Sequence, residues 1–142
     1  MTKDKSIGQL AALAIGVAYL GGGLVGMLFT GFSGFVDSHG TSLFGIFAIN
    51  PFHNVVHIGV GALLILASLA ASSIAEGALL GVGSIYVVAT ITGFIYAHIP
   101  VIALVTSSDP DNYLHLITGA TAITAAVISA GATQRRAARL AV

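Results

Sequence analysis

Four long stretches without a single Asp, Glu, Lys or Arg, 6–36, 38–75, 77–108 and 112–134, constrain this chain more than any other feature. Each exceeds the roughly 20 mainly apolar residues that carry a helix across the hydrocarbon core of a bilayer. In lipid a backbone must satisfy its own N–H and C=O groups, so uncharged runs of this length read as helices. The chain therefore reads as four transmembrane helices over about 8–32, 51–73, 77–99 and 111–132. The fold class is all-α: an integral membrane four-helix bundle forming one domain over residues 1–142.

Composition agrees. The residues are 56% hydrophobic and 7% charged, where a soluble domain carries about a quarter charged residues. The lipid bilayer is thus the first expected partner. Net charge is zero, and no basic patch beyond the short tail supports nucleic-acid binding. Cysteine is absent, which excludes disulfides, iron–sulfur clusters and thiol catalysis.

The few charges mark orientation. Lys3 and Lys5 precede the first helix, and Arg135, Arg136 and Arg139 follow the last. The positive-inside rule places both ends in the cytoplasm, and an even number of spans agrees. The expected location is the bacterial plasma (inner) membrane, multi-pass, with Asp37, His39, Asp109 and Asp111 on the outer face. The first apolar stretch is too long for a signal peptide and lacks a cleavage site, so it reads as a retained helix. Asn50 before Pro51 and Asp109 before Pro110 read as helix caps followed by proline at the first helical position. Pro100 reads as the end of helix 3. The inner connection is expected at "ASSIAEG", with Glu76 in the first turn of helix 3, complementing its dipole. The two outer loops are apolar enough to be expected over the bundle rather than in water.

Glycine occurs 18 times. Gly22 and Gly26, and Gly77 and Gly81, have the GxxxG spacing that lets helices approach closely, as seams within the monomer or as a homodimer seam. The chain also appears twice over. "HNVVHIGVG" in helix 2 and "DNYLHLITG" in helix 4 share Asn-x-x-His-x-x-x-Gly: Asn54, His57, Gly61 and Asn112, His115, Gly119. Thr30-Gly31-Phe32 and Thr92-Gly93-Phe94 precede them in the same order. This suggests an internal repeat, two helical hairpins related by an axis along the membrane normal. Residues at i, i+3 and i+7 share one helical face. Each repeat thus presents a polar stripe, expected to face the bundle interior because lipid offers it no partner.

Three roles fit the histidines. They can be structural glue, hydrogen-bonding between helices for about 0.6–2 kcal/mol per bond. They can hold a zinc-like metal, because His53 and His57, and Asp111 and His115, stand at i, i+4 and could supply three or four ligands. His98 and His39 are possible extra ligands. Alternatively, His57 and His115 could ligate haem b between helices. A proton relay or a lipid-headgroup site is the remaining option. Tyr19, Tyr86 and Tyr96 read as core or interface aromatics.

The stretches Asn50, His53, Asn54, His57, Gly61 and Asp109, Asn112, His115, Gly119 carry a resemblance. They are similar to the N-x-x-H-N-x-x-H-x-x-x-G and D-x-x-N-x-x-H-x-x-x-G stretches of bacterial four-helix membrane proteins grouped as a domain of unknown function, common in actinobacteria and also met in cyanobacteria. The resemblance implies the four-helix fold and leaves activity open. No nucleophile–base pair, phosphate loop or buried carboxylate pair is evident, so no enzymatic activity and no cofactor are expected. The expected role is a small structural or accessory subunit packing with a larger membrane complex or with itself. The alternative is a metal- or haem-binding redox or sensory protein using His53, His57, Asp111 and His115.

Overall fold

A computed structural model describes residues 4–37, 41–96 and 98–140. Its elements are α1 (Ile7–Thr30), a short hairpin of β1 (Ser42–Leu43) and β2 (Phe47–Ala48), α2 (Pro51–Leu69), α3 (Ser72–Ile95), a 3-10 turn (Pro100–Ile102) and α4 (Pro110–Leu140). All four α-helices are long and apolar enough to cross a membrane, and they pack into an integral membrane four-helix bundle. α1 packs mainly on α2 and α3 mainly on α4, so the bundle consists of two hairpins. The start of α1, the turn between α2 and α3 and the end of α4 lie at one end, here the terminal end. The connections before α2 and before α4 lie at the other, the loop end.

The chain is inside out relative to a soluble domain. Large apolar residues such as Leu28, Leu66, Ile85, Val88 and Ile117 are exposed, whereas Asn54, Ser68, Thr90, Asn112 and Ser129 are buried. Without a hydrophobic force between helices in lipid, small and polar residues form the interfaces. The apolar core is narrow and built around Ala12, Tyr19, Leu64, Leu79, Tyr86, Ala122 and Ala126.

Local chemistry explains most helix ends. Ser6 caps α1 in a capping box with Gln9, which satisfies two of the amides that a helix start leaves free. Lys5 Nζ donates to Ser68 O at 2.9 Å and Gln9 Nε2 to Ala70 O at 2.7 Å. The start of α1 thereby satisfies free carbonyls at the end of α2. Asn50 caps α2 as expected: His53 N donates to its Oδ1 at 2.8 Å, with Pro51 at the helix start. Gly31, at φ 57°, closes α1.

Other boundaries depart from expectation. α2 ends at Leu69 and α3 starts at Ser72, so the turn is far tighter than "ASSIAEG". The apolar period of α3 already runs through Ala75, Leu79, Val82 and Tyr86, all buried. Glu76 is therefore not a first-turn carboxylate. It is nearly buried, and its Oε1 accepts from Ser129 Oγ on α4 at 2.7 Å. α3 ends at Ile95, ahead of the expected stop, and Pro100 opens the 3-10 turn instead. Asp109 does not behave as a simple cap: its Oδ2 accepts from Val105 N at 2.7 Å and Thr106 N at 2.9 Å, folding the loop before α4. α4 runs on to Leu140. At about 1.5 Å per residue its length exceeds a hydrocarbon core of about 30 Å. It is therefore long enough to span with turns to spare or with tilt.

The loops do cover the bundle. Leu43, Ile49, Ala103 and Leu104 are buried, and Asn50 Nδ2 donates to Pro100 O at 2.9 Å, tying one loop to the other.

Of the four GxxxG glycines, Gly26 alone meets a neighbouring helix closely. A Cβ added at Gly22, Gly77 or Gly81 would meet no neighbouring atom, whereas one at Gly26 would collide with Asn54 Oδ1. The true crossings pair glycines across helices. A Cβ at Gly16 would lie 2.9 Å from Gly61 O, and one at Gly83 3.0 Å from Gly119 O. The two Thr-Gly-Phe triplets are not equivalent either. Gly31 is a helix cap with open space around it, whereas Gly93 lies inside α3 against Asn112 Oδ1.

Candidate metal centre

Both asparagine-histidine stripes face inward at the loop end. Asn54 is buried and donates through Nδ2 to Thr30 Oγ1 on α1 at 3.0 Å. Asn112 is buried and donates to Ser107 O at 3.0 Å. Each presses its Oδ1 against a glycine of its partner helix, Gly26 or Gly93. One turn further in, His57 and His115 point to the bundle axis. One residue before each asparagine stand His53 and Asp111, both buried.

These four side chains converge. His53 Nδ1 lies 3.0 Å from Ile102 O. A carbonyl only accepts, so Nδ1 carries the proton of a neutral ring and Nε2 presents a lone pair. That Nε2 lies 2.8 Å from His57 Nε2. Two lone pairs cannot face each other at this distance, so a proton or a cation sits between them. Asp111 Oδ2 lies 3.7 Å from His53 Nε2 and 3.5 Å from His115 Nε2. The ligand atoms of His53, His57 and His115 all lie within 4.8 Å of one another.

Among the described residues, Asp111 Oδ2 and both ring nitrogens of His115 are buried without a hydrogen-bond partner. An unsatisfied buried polar group costs about 1–3 kcal/mol, and more if charged. Asp111 Oδ2 and His115 Nε2 lie side by side at 3.5 Å, so one ion between them would satisfy both, while His115 Nδ1 points away from it. A zinc-type ion with ligand bonds of about 2.0–2.2 Å sets neighbouring ligand atoms about 3.4 Å apart. The Asp111 contacts already match that edge, whereas the His53–His57 pair at 2.8 Å would open and the imidazole separations of up to 4.8 Å would close on metal binding. The His53 bond to Ile102 O is the kind of outer contact that fixes the tautomer and orientation of a ligating imidazole.

Other aromatic side chains already pack against His57 and His115, the pair considered for haem b. Their ring centroids are 6.0 Å apart at 75°. Tyr19 leans on His57 at 4.8 Å and Tyr86 stacks on His115 at 4.7 Å. The tyrosine rings thus occupy flanks on which a macrocycle would lie. His98 is exposed and takes no part in the cluster, and His39 lies outside the described residues.

The tyrosines are part of the site's wall, beyond the core or interface role expected of them. Tyr19 Oη donates to Thr118 Oγ1 on α4 at 2.9 Å, whereas Tyr86 Oη meets no partner of hydrogen-bonding geometry. Their spacing carried a signal: Tyr19 to Tyr86, Gly16 to Gly83 and Gly26 to Gly93 are separated by one constant interval.

Neither a curated protein nor a solved structure matches the chain. The family described as Domain of unknown function (DUF4383) matches residues 9–128. That match spans all of α2 and α3 and most of α1 and α4, including every residue of the cluster, and the chain belongs to this family of unknown function.

Proposed function

We propose that this integral membrane protein binds one divalent transition-metal ion through His53, His57, His115 and Asp111. The observation that carries the proposal is the convergence of three imidazoles and one carboxylate, with Asp111 Oδ2 and the His115 nitrogens otherwise unsatisfied. Three nitrogens and one oxygen suit zinc, copper, iron or nickel, and are too nitrogen-rich for magnesium or calcium. With the basic residues of both termini in the cytoplasm, the ion lies near the outer face of a bacterial plasma membrane, covered by the two apolar loops. This reading takes the place of the accessory-subunit role expected from the sequence. It assigns ion binding and no turnover.

The site also supports an origin by duplication. His57 and His115 are mates, as are Tyr19 and Tyr86, and His53 corresponds to Asp111. One half thus supplies two imidazoles, the other an imidazole and a carboxylate.

Metal-free protein in detergent, titrated with Zn2+ and analysed for metal after desalting, is expected to retain one ion per chain and to melt at a higher temperature. The paired substitutions His53→Ala and His115→Ala are expected to abolish both effects. Wild-type protein that retains no Zn2+ and melts identically with and without it would overturn the proposal. The polar cluster would then act as helix glue in a subunit that packs with a larger membrane complex or with itself.

A further inference from the structure

A cavity of about 200 Å3 adjoins the cluster. Its polar floor is His53, His57 and Asp111, and its walls include Tyr19, Phe44 and Phe47. We infer that this cavity is a binding site for a small lipid-soluble phenol, whose hydroxyl meets the ion and Asp111 while its ring lies among the aromatic walls. This site rests on the metal-binding reading, because the ion is what the hydroxyl oxygen meets.

Size, chemistry and access point to the same ligand class. A dry apolar cavity of about 150 Å3 is enough to bind benzene, so this one holds a single substituted ring. Aromatic walls favour an aromatic guest through edge and offset contacts. The floor selects a hydroxyl: its O–H can donate a hydrogen bond to a lone pair that the Asp111 carboxylate keeps after ligating the ion, while its oxygen approaches the cation. A ketone or quinone oxygen has no proton to give and would face the carboxylate. An acyl chain would leave the floor unsatisfied, at about 1–3 kcal/mol per buried polar atom. No proton leaves the phenol in this arrangement.

The mouth opens sideways. Ala18 and Gly22 form its rim within α1, part of the way along a membrane span, so entry is from the hydrocarbon and an alkyl substituent can trail back into it. Opposite them the hairpin turn holds Phe44 at φ 54°, 70% exposed, with its ring 6.1 Å from that of Phe29. A non-glycine residue in this backbone region is strained, and such strain gathers at ligand clamps.

The test uses protein in nanodiscs carrying one Co2+ per chain, whose visible spectrum reports its ligands. 4-Ethylphenol is expected to change that spectrum saturably, at one per chain, and ethylbenzene to compete at least tenfold more weakly. Gly22→Leu is expected to keep Co2+ and lose the response. A Cβ at Gly22 meets no neighbour, so the leucine can fill the cavity without disturbing the helices. Should that variant lose Co2+, Ala18→Phe on the same rim takes its place. A Co2+ spectrum unmoved by saturating 4-ethylphenol, or a rim variant that retains Co2+ and responds like wild type, overturns the phenol site and leaves the metal reading standing. A chain that takes up no Co2+ or Zn2+ overturns both.

Discussion

In the hairpin of α1 and α2, Tyr19 leans on His57, Asn54 presses on Gly26, and Gly16 crosses Gly61. In the hairpin of α3 and α4, Tyr86 lies on His115, Asn112 presses on Gly93, and Gly83 crosses Gly119. The contacts are alike, yet the fit differs. α1 and α2 are tighter: a Cβ at Gly61 would collide with Leu20 N and lie 2.7 Å from Gly16 O. One at Gly119 would lie 3.0 Å from Gly83 O and 3.2 Å from Val87 N. Where Gly23 sits against Asn54 O, the corresponding Thr90 places a hydroxyl that donates to Tyr86 O at 2.8 Å and also reaches Asn112 O at 3.3 Å. Holding the helices apart by a threonine costs contact and supplies a hydrogen bond. The shared arrangement defines the fold, and the exchanged residues at its mates define the site, with His53 opposite Asp111.

The largest effect that separates the hairpins is overpacking. Gly61→Ala must push α1 away from α2, because the obstacles are backbone atoms that cannot rotate aside. A cost of about 2–3 kcal/mol is expected, at the upper end for inserting a methyl into a packed interface. Gly119→Ala is expected to cost about 1 kcal/mol, at the lower end. Thermal unfolding of the two variants in one detergent, followed by circular dichroism, measures the gap. Equal shifts would break the comparison, since the hairpins would then tolerate the same approach.

The same crossing shows what could be read before the structure and what could not. Four spans follow from uncharged runs, because burial in lipid leaves so few alternatives. The α2 start was equally plain, as Asn50 and Pro51 act locally. The four clustered residues stood out because polar side chains in a span have nowhere to face but inward. The glycine seams were legible only at Gly26, because GxxxG counts spacing on one helix. A close crossing needs glycines that face each other on two, as Gly16 and Gly61 do. The turn at Ala70 and Ala71 carries no glycine, proline or charge to announce it. Tyr19 and Tyr86 passed for ordinary apolar residues because only the tertiary fold brings their rings against the imidazoles. The β1–β2 hairpin depends on a two-residue pairing at the loop end, too short to leave a periodic signature.

A smaller effect comes from the tyrosine hydroxyls. Tyr19 Oη has Thr118 as partner, and Tyr86 Oη has none of hydrogen-bonding geometry. Tyr19→Phe removes a buried bond and is expected to cost about 1 kcal/mol. Tyr86→Phe removes an unsatisfied group, so stability is expected to hold or rise. The contrast is read as melting temperature in metal-free protein, away from any contribution of the ion. A Tyr86→Phe loss as large as that of Tyr19→Phe would mean that the second hydroxyl has a partner after all.

The reason for that missing partner gives the smallest and sharpest test. Thr118 lies three residues beyond His115 on α4, and the position three residues beyond His57 on α2 is Val60. If the hairpins are mates, Val60 occupies the place from which a threonine would serve Tyr86. In Val60→Thr the new hydroxyl can donate to the carbonyl one turn back, as threonines in helices do, and accept from Tyr86 Oη. A gain of up to about 1 kcal/mol is expected, roughly 4 °C in melting temperature for a chain of this size. Substituting threonine for valine also introduces a polar atom, so the single variant is not decisive alone. The same substitution in a Tyr86→Phe background carries that cost without the new bond, and the difference between the two backgrounds isolates the pair. A positive coupling places Val60 and Thr118 at equivalent positions and supports descent from one hairpin. No coupling would mean that the resemblance stops at the glycines and histidines and does not extend to the face behind them.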